Sequence, residues 1–355
     1  MKDILRIGSA FIGIIVGAGF ASGQEILQYF TSFGHIGTIG AVISTALFAY
    51  LGMWLTKLGT RMKATSHKEA IYRVSGRYLG VIVDYIIIFT LFGVGVVMIA
   101  GAGSIPNQQF GMPPIVGITL MTVLVVLTIM LNVERVVNII GSITPFLIIG
   151  VIIISVYSLT TMDSTFASLE PFAKEQPSAL SHWLMSAINY VSFNIAVGAS
   201  MALLMGGNET DERTSSIGGL VGGFGLGLLI VLSHLAIFSK IDVVATADMP
   251  MLKIVDDISP LLGTFYSLVL FGMIFNTAIS MFFSFSARFT TVGTKNHKVF
   301  VIITGIVAFG LGFVGFTDLV SFFYPLIGFL GLFLIVALLA APFRLKKETK
   351  ERSQV

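Results

Sequence analysis

Ten apolar runs divide this sequence, most of them near the twenty residues that a helix needs to cross a bilayer. They occupy 4–32, 36–58, 80–105, 113–132, 136–160, 180–206, 216–239, 259–287, 299–316 and 318–341. Each is continuously apolar, whereas the strands of an outer-membrane barrel alternate, so the runs read as helices. Only 11% of the 355 residues are charged, against about a quarter in soluble domains. A water-facing exterior of this size cannot be built from so few charges. The chain is therefore expected to be an all-α polytopic membrane protein with ten transmembrane helices. The first, sixth and eighth runs are longer than a bilayer requires, which points to broken or tilted spans.

Composition also excludes several kinds of chemistry. There is no cysteine, so disulfides, thiolate metal sites and cysteine nucleophiles are ruled out. The five histidines are scattered, and none forms a close pair on one helical face, which leaves a histidine zinc site without support. Net charge is only +3 and the basic residues flank apolar runs, so nucleic acid is not the expected partner. No hydrolase or transferase constellation is present, and no nucleotide-binding domain. The glycine-rich segment GGLVGGFGLG (218–227) lacks the GK[ST] of a phosphate loop; helix packing accounts for it.

Lysine and arginine set the expected orientation. With the N-terminus inside, eighteen of the 21 basic residues fall on the cytoplasmic side, leaving Lys174, Lys240 and Lys253 outside. Both termini are then cytoplasmic, in the cell membrane, with a short basic tail at 342–355. The first run is too long for the apolar core of a signal peptide and continues through Ala21 and Ser22 to Glu25 and Tyr29. It is read as a span.

The two halves of the chain share sequence. IIVGAGFA at 14–21 and IAVGASMA at 195–202 agree at five of eight positions, and LFG recurs at 91–93 and 270–272. Both matches pair span n with span n+5. Because five is odd, the halves (1–161 and 180–341) run oppositely through the bilayer as inverted repeats, an arrangement associated with secondary transporters. The matched segments are rich in helix-weakening residues: Gly13, Gly17, Gly19 and Gly23 in span one, Asn194, Gly198 and Ser200 in span six. Each interior glycine costs a helix about 1 kcal/mol relative to alanine. Spans one and six are accordingly expected to be discontinuous, with unwound backbone facing protein or a cavity.

Ten spans in two inverted five-helix repeats, with GIIVGAGFASGQE (13–25) in span one, resemble the LeuT fold of the amino acid–polyamine–organocation superfamily. The GAGFASGQE string in particular is similar to the YkvI-like bacterial membrane proteins. The resemblance implies secondary active transport of a small organic solute, often an amino acid, by alternating access. In sodium-coupled members a cation lies between spans one and eight. Carried onto this sequence, that site takes the carbonyls of Gly13, Val16 and Met273 and the side chains of Asn276 and Thr277. Asn276 departs from the usual serine or threonine there. Proton-coupled relatives place a lysine in span five, and residues 136–160 contain none, which favours Na⁺.

For the solute, the break supplies Ala18, Gly19 and Phe20, and span six supplies Phe193, Asn194 and Ser200. Asn189, Tyr190 and Ser192 lie one or two turns outward, at a gate. Glu25 is the one acid well inside an apolar run, and such a residue is a functional candidate. It can hold a proton, meet a substrate ammonium, or pair structurally with a neighbouring helix. Asp84, where span three leaves the basic loop, is expected in an interfacial ion pair. The expectation overall is a non-enzymatic, Na⁺-coupled symporter of a small solute, with no tightly bound cofactor and the lipid bilayer as its surroundings. Two alternatives stand beside it: a ligand receptor of the germinant-sensor kind that does not transport, and a proton-coupled exchanger centred on Glu25.

Overall fold

A computed structural model describes residues 1–64, 67–131 and 144–352, apart from the side chains of 67–71, 73–79, 144, 200 and 340–352. All its regular elements are helical. The first run is divided into α1 (Lys2–Ile15), α2 (Ala18–Ser22) and α3 (Gln24–Tyr29), followed by a 3-10 turn at Thr31–Phe33. Then come α4 (His35–Met62), α5 (His67–Phe110), α6 (Pro114–Leu131) and α7 (Thr144–Thr160). A short helix α8 (Phe166–Lys174) precedes α9 (Trp183–Gly207) and α10 (Glu212–Ser239). Two further short helices, α11 (Ile241–Val244) and α12 (Pro250–Ile258), lead into α13 (Pro260–Phe289), α14 (Lys295–Gly312) and α15 (Phe316–Arg352).

Six helices among the described residues are long and apolar enough to cross a membrane: α4, α6, α10, α13, Gly80–Phe110 of α5 and Phe316–Leu339 of α15. The two segments of α9, Trp183–Ala199 and Met201–Gly207, form a seventh candidate bent by 53°. The sixth run is thus a bent helix, whereas the first is interrupted outright. The start of the fifth run, 136–143, lies outside the described residues. Residues 342–352, expected as a tail, continue α15 in helical form.

Small residues set how closely the helices approach. On α10, Gly219, Gly223 and Gly227 repeat every fourth position and so share one face. A Cβ on Gly223 would strike the Phe48 carbonyl, and one on Gly219 the Gly52 carbonyl, both on α4. Further along α4, α9 meets it in the same way, with Gly59 against the Leu203 carbonyl and Gly206 against Thr56. Hydroxyls cross these seams: Thr56 donates to the Ser215 carbonyl at 2.8 Å and Thr60 to Gly206 at 2.8 Å. Lipid is as apolar as the helices, so close packing and such bonds supply the attraction between spans. Elsewhere phenyl rings fill glycine notches: Phe282 of α13 against Gly95, Phe323 of α15 against Gly93.

Gly223→Ala should therefore destabilise the chain by about 1–3 kcal/mol through overpacking, read as a lower melting temperature in detergent. Gly310→Ala inside α14, whose added Cβ meets nothing within 4 Å, should not lower it and should raise it slightly through helix propensity.

Outside the spans, α8 is tied to the start of α4 by Glu170, which lies 2.7 Å from His35 Nδ1 and 2.8 Å from Lys174 Nζ. Lys174 and then His35 hold its carboxyl below the ordinary 4.5. A lowered folded-state value means that the tether is fully present above the unfolded range and is lost as pH falls through the lower, folded one. Protection of the amides across 166–174, taken against their intrinsic exchange rate at each pH, should fall on that acidification, and Glu170→Gln should show the lower protection at neutral pH as well.

Candidate functional site

The site begins where α1 fails. Val16 N–H still reaches the Ile12 carbonyl at 2.8 Å, but Gly17 N–H turns onto Ile15 at 2.7 Å instead of onto Gly13 four residues back. Gly17 is extended (φ −101°, ψ −169°) and helix resumes at Ala18. The new segment ends at Gly23, whose φ of +84° lies in the left-handed region that favours glycine. Side chains then staple it: Ser22 Oγ donates to the Gly19 carbonyl at 2.7 Å, and Tyr266 on α13 donates to Ala21 at 2.7 Å. Met251 of α12 packs so closely on Gly23 that a Cβ there would lie 2.8 Å from its Cγ.

Beside the break lies a cavity of about 1000 Å³, walled by α1, α2, α5, α9 and α13. Its exposed lining residues, Gly13, Met201, Ser284 and Ala287, belong to one end; Ala18, Gly19, Glu25 and Tyr324, all buried, belong to the other. The walls are mostly apolar, with a few polar groups converging, the usual make-up of a small-molecule site. At the open end Arg288 meets Asp84 at 2.6 Å, the interfacial ion pair expected for that acid.

All five residues assigned to a cation from sequence, Gly13, Val16, Met273, Asn276 and Thr277, line this one cavity. Thr277 Oγ1 stands 3.7 Å from where a Cβ on Gly17 would sit, so the α13 side chains reach the break directly. The Asn276 amide oxygen is buried and accepts no hydrogen bond among the described residues. Of the solute residues, Ala18, Gly19, Phe193 and Asn194 line the cavity. Phe20 does not: it is 1% exposed and packed in the core, because successive residues of a helical turn point about 100° apart. The Ser200 side chain lies outside the described residues. Asn194 also donates to the Tyr190 carbonyl of its own helix at 3.0 Å.

Glu25 forms part of the closed end. Its carboxylate accepts from Tyr190 at 3.2 Å and from the Tyr324 hydroxyl. Asn189 and Ser192, expected at a gate, bridge helices: Asn189 accepts from Tyr29 at 3.1 Å and donates to Pro325 at 3.0 Å, and Ser192 donates to Gly328 at 2.6 Å. Sequence reasoning passed over Tyr324, Arg288 and Thr90 as lining residues. A tyrosine inside the last apolar run was the available signal for the first, since a buried phenol needs a polar partner.

No family model matches the chain. It is 28% identical over 349 residues to the "Uncharacterized membrane protein YkvI" of Bacillus subtilis (strain 168), covering 98% of this chain and 97% of the relative. Its homologues are YkvI-like membrane proteins. A second from the same organism, "Uncharacterized protein YyaD", is 26% identical over 342 residues, covering 96% of each. Among solved structures, the inward-facing conformation of Mhp1 matches with a TM-score of 0.66 at 12% identity, over 92% of this chain and 73% of that one. MhsT in complex with L-phenylalanine matches at 0.60 and 16%, over 95% and 91%. The Eremococcus coleocola manganese transporter, in its H236A mutant, matches at 0.60 and 14%, over 95% and 78%. These are LeuT-fold transporters, and the likeness places this chain in that fold.

The chain has no native cysteine, so a single introduced thiol reports the cavity. Ser284→Cys should be alkylated rapidly in the purified protein, whereas Ser22→Cys, fully buried in the resumed helix, should resist.

Proposed function

We propose that this chain is a secondary transporter driven by Na⁺, carrying a small organic solute of the amino-acid type through the cavity by alternating access. The observation that carries the reading is the Asn276 amide oxygen, buried and unpartnered in the wall that faces the α1 break. Leaving a buried acceptor unsatisfied costs about 1–3 kcal/mol. A hard cation held by neutral oxygens removes that cost. Gly13, Val16 and Met273 would contribute carbonyls to it, and Asn276 and Thr277 side-chain oxygens. The loss of the Gly17-to-Gly13 bond supports this assignment, because it frees the Gly13 carbonyl from its helical donor.

The solute would lie against Ala18, Gly19, Phe193 and Asn194, with Ser200 included on sequence grounds and Phe20 withdrawn. The fold shared with transporters supports the mode of action, and a bound amino acid in the MhsT structure supports the solute class. The basic residues argue for cytoplasmic termini in the cell membrane, which would turn the cavity mouth at Arg288 inward. Division into inverted repeats at 1–161 and 180–341 belongs to the same proposal. It is supported by helices five spans apart meeting one another: α4 with α10, α5 with α13, α6 with α14.

Purified protein in proteoliposomes should accumulate amino acids when an inward Na⁺ gradient is imposed, and should fail to do so in choline. Thr277→Val and Asn276→Leu should each lower Na⁺-dependent uptake by about tenfold or more, the equivalent of about 1.4 kcal/mol. Uptake that persists in choline and follows a pH gradient would replace Na⁺ by H⁺. Binding without accumulation would make the chain a receptor.

A further inference from the structure

We infer that the closed end of the cavity is an ammonium site, in which Glu25 receives the amine of the solute, and that the chain recognises organic amines by their nitrogen with no side chain committed to a carboxylate. This rests on the cavity being the solute site and adds the chemical class that it selects.

The first ground is charge. Glu25 lines the cavity, 5% exposed, and among the described residues no lysine, arginine or histidine forms an ion pair with it. Among the described residues the one basic side chain in the cavity wall, Arg288, is already held by Asp84 at the far, open end. A buried carboxylate without a cation is costly, and this one faces a cavity large enough to admit a cationic ligand. A carboxylate in the same place would find no basic side chain to receive it among the described residues.

The second ground is donor count. A carboxylate offers about four lone-pair sites, and Tyr190 and Tyr324 bring one hydroxyl each. The acceptor capacity left over suits the donors of an ammonium. Around it, Phe193 and Tyr324 both line the cavity and stack with centroids 4.2 Å apart. Aromatic faces attract an organic cation, and the apolar walls (Ile14, Val94, Met98, Val197) suit its hydrocarbon body.

The third ground is backbone. A Cβ on Gly19 would collide with the Glu25 carboxylate and approach the Tyr324 hydroxyl to 3.0 Å. The absence of a side chain at Gly19 is what lets the carboxylate lie on the resumed helix at the top of the cavity. Gly19, expected from sequence both to weaken the helix and to line the solute site, also seats an acid.

Three probes of one carbon skeleton test this on the full-length protein: leucine, isopentylamine (the amine alone) and 4-methylpentanoate (the carboxylate alone). Binding is read as a melting shift, and as protection of Val197→Cys in the cavity wall from alkylation. Isopentylamine and leucine should shift and protect, and 4-methylpentanoate should do neither. Glu25→Gln should weaken isopentylamine by about tenfold or more. Glu25→Asp, which keeps the charge on a shorter arm, should weaken it less and covers the case in which the amide variant does not fold. Protection by 4-methylpentanoate and not by isopentylamine would overturn the inference while leaving the cavity as the solute site. So would undiminished isopentylamine binding in Glu25→Gln, the result expected if Glu25 holds only a proton or the coupling ion. Melting shifts with no protection at Val197→Cys would place the solute elsewhere and overturn both readings.

Discussion

Inside a bilayer a main-chain carbonyl or amide has no water to bond, so an interruption in a helix at that depth must be satisfied by protein or by a cavity. The failure of α1 at Val16–Gly17 is such an interruption, and much of the molecule is arranged around it. Gly17 turns its amide onto Ile15, Tyr266 takes up the Ala21 carbonyl, and Ser22 folds back onto Gly19. What these bonds do not cover opens onto the cavity between α1, α5, α9 and α13. The unpartnered Asn276 oxygen and the Glu25 carboxylate are polar groups of the same kind: each is buried beside the break, and the cavity is where its remaining bonding capacity can be met.

The helical, membrane-spanning class was legible because hydropathy integrates over twenty residues and tolerates local error. The break in the first run was also legible, since GAGFASG concentrates glycine where a helix can least accommodate it. Glu25 stood out because it is an acid in an apolar run. Its surroundings did not, because Tyr190 and Tyr324 lie 165 and 299 residues away in sequence and only packing brings them to it. Phe20 shows the opposite failure. It belongs to the right segment, but residues of one short helix face different ways, and the string alone does not say which side meets the cavity. The sixth run, where Asn194, Gly198 and Ser200 weaken the helix, is bent by 53° between Ala199 and Met201, a milder interruption than that of the first run, where Gly13, Gly17 and Gly19 accumulate. The height of Asn189 and Ser192 along the helix was legible, but not their azimuth, and it is packing that gives them partners on α15.

The joints of this protein fall into two chemical kinds. Between α4, α9 and α10 most of the joint is backbone against glycine, with carbonyls where any added carbon would collide, and the threonine hydroxyls of the seam lie inside that fit. Water cannot take the place of those contacts, since they consist of close fit. Where α3, α5 and α15 meet the 248–249 segment the contacts are of another kind: Gln28 donating to Thr317, Gln108 bonding both polar groups of Met249, Asp248 accepting from Ser104 and Thr317. Each of those groups can exchange its partner for a water molecule with little net change in bonding. The glycine seams are therefore welds, and the hydroxyl, amide and carboxylate contacts are fastenings that solvent can undo, so the fold carries in its choice of side chains a map of where it can part and where it must hold.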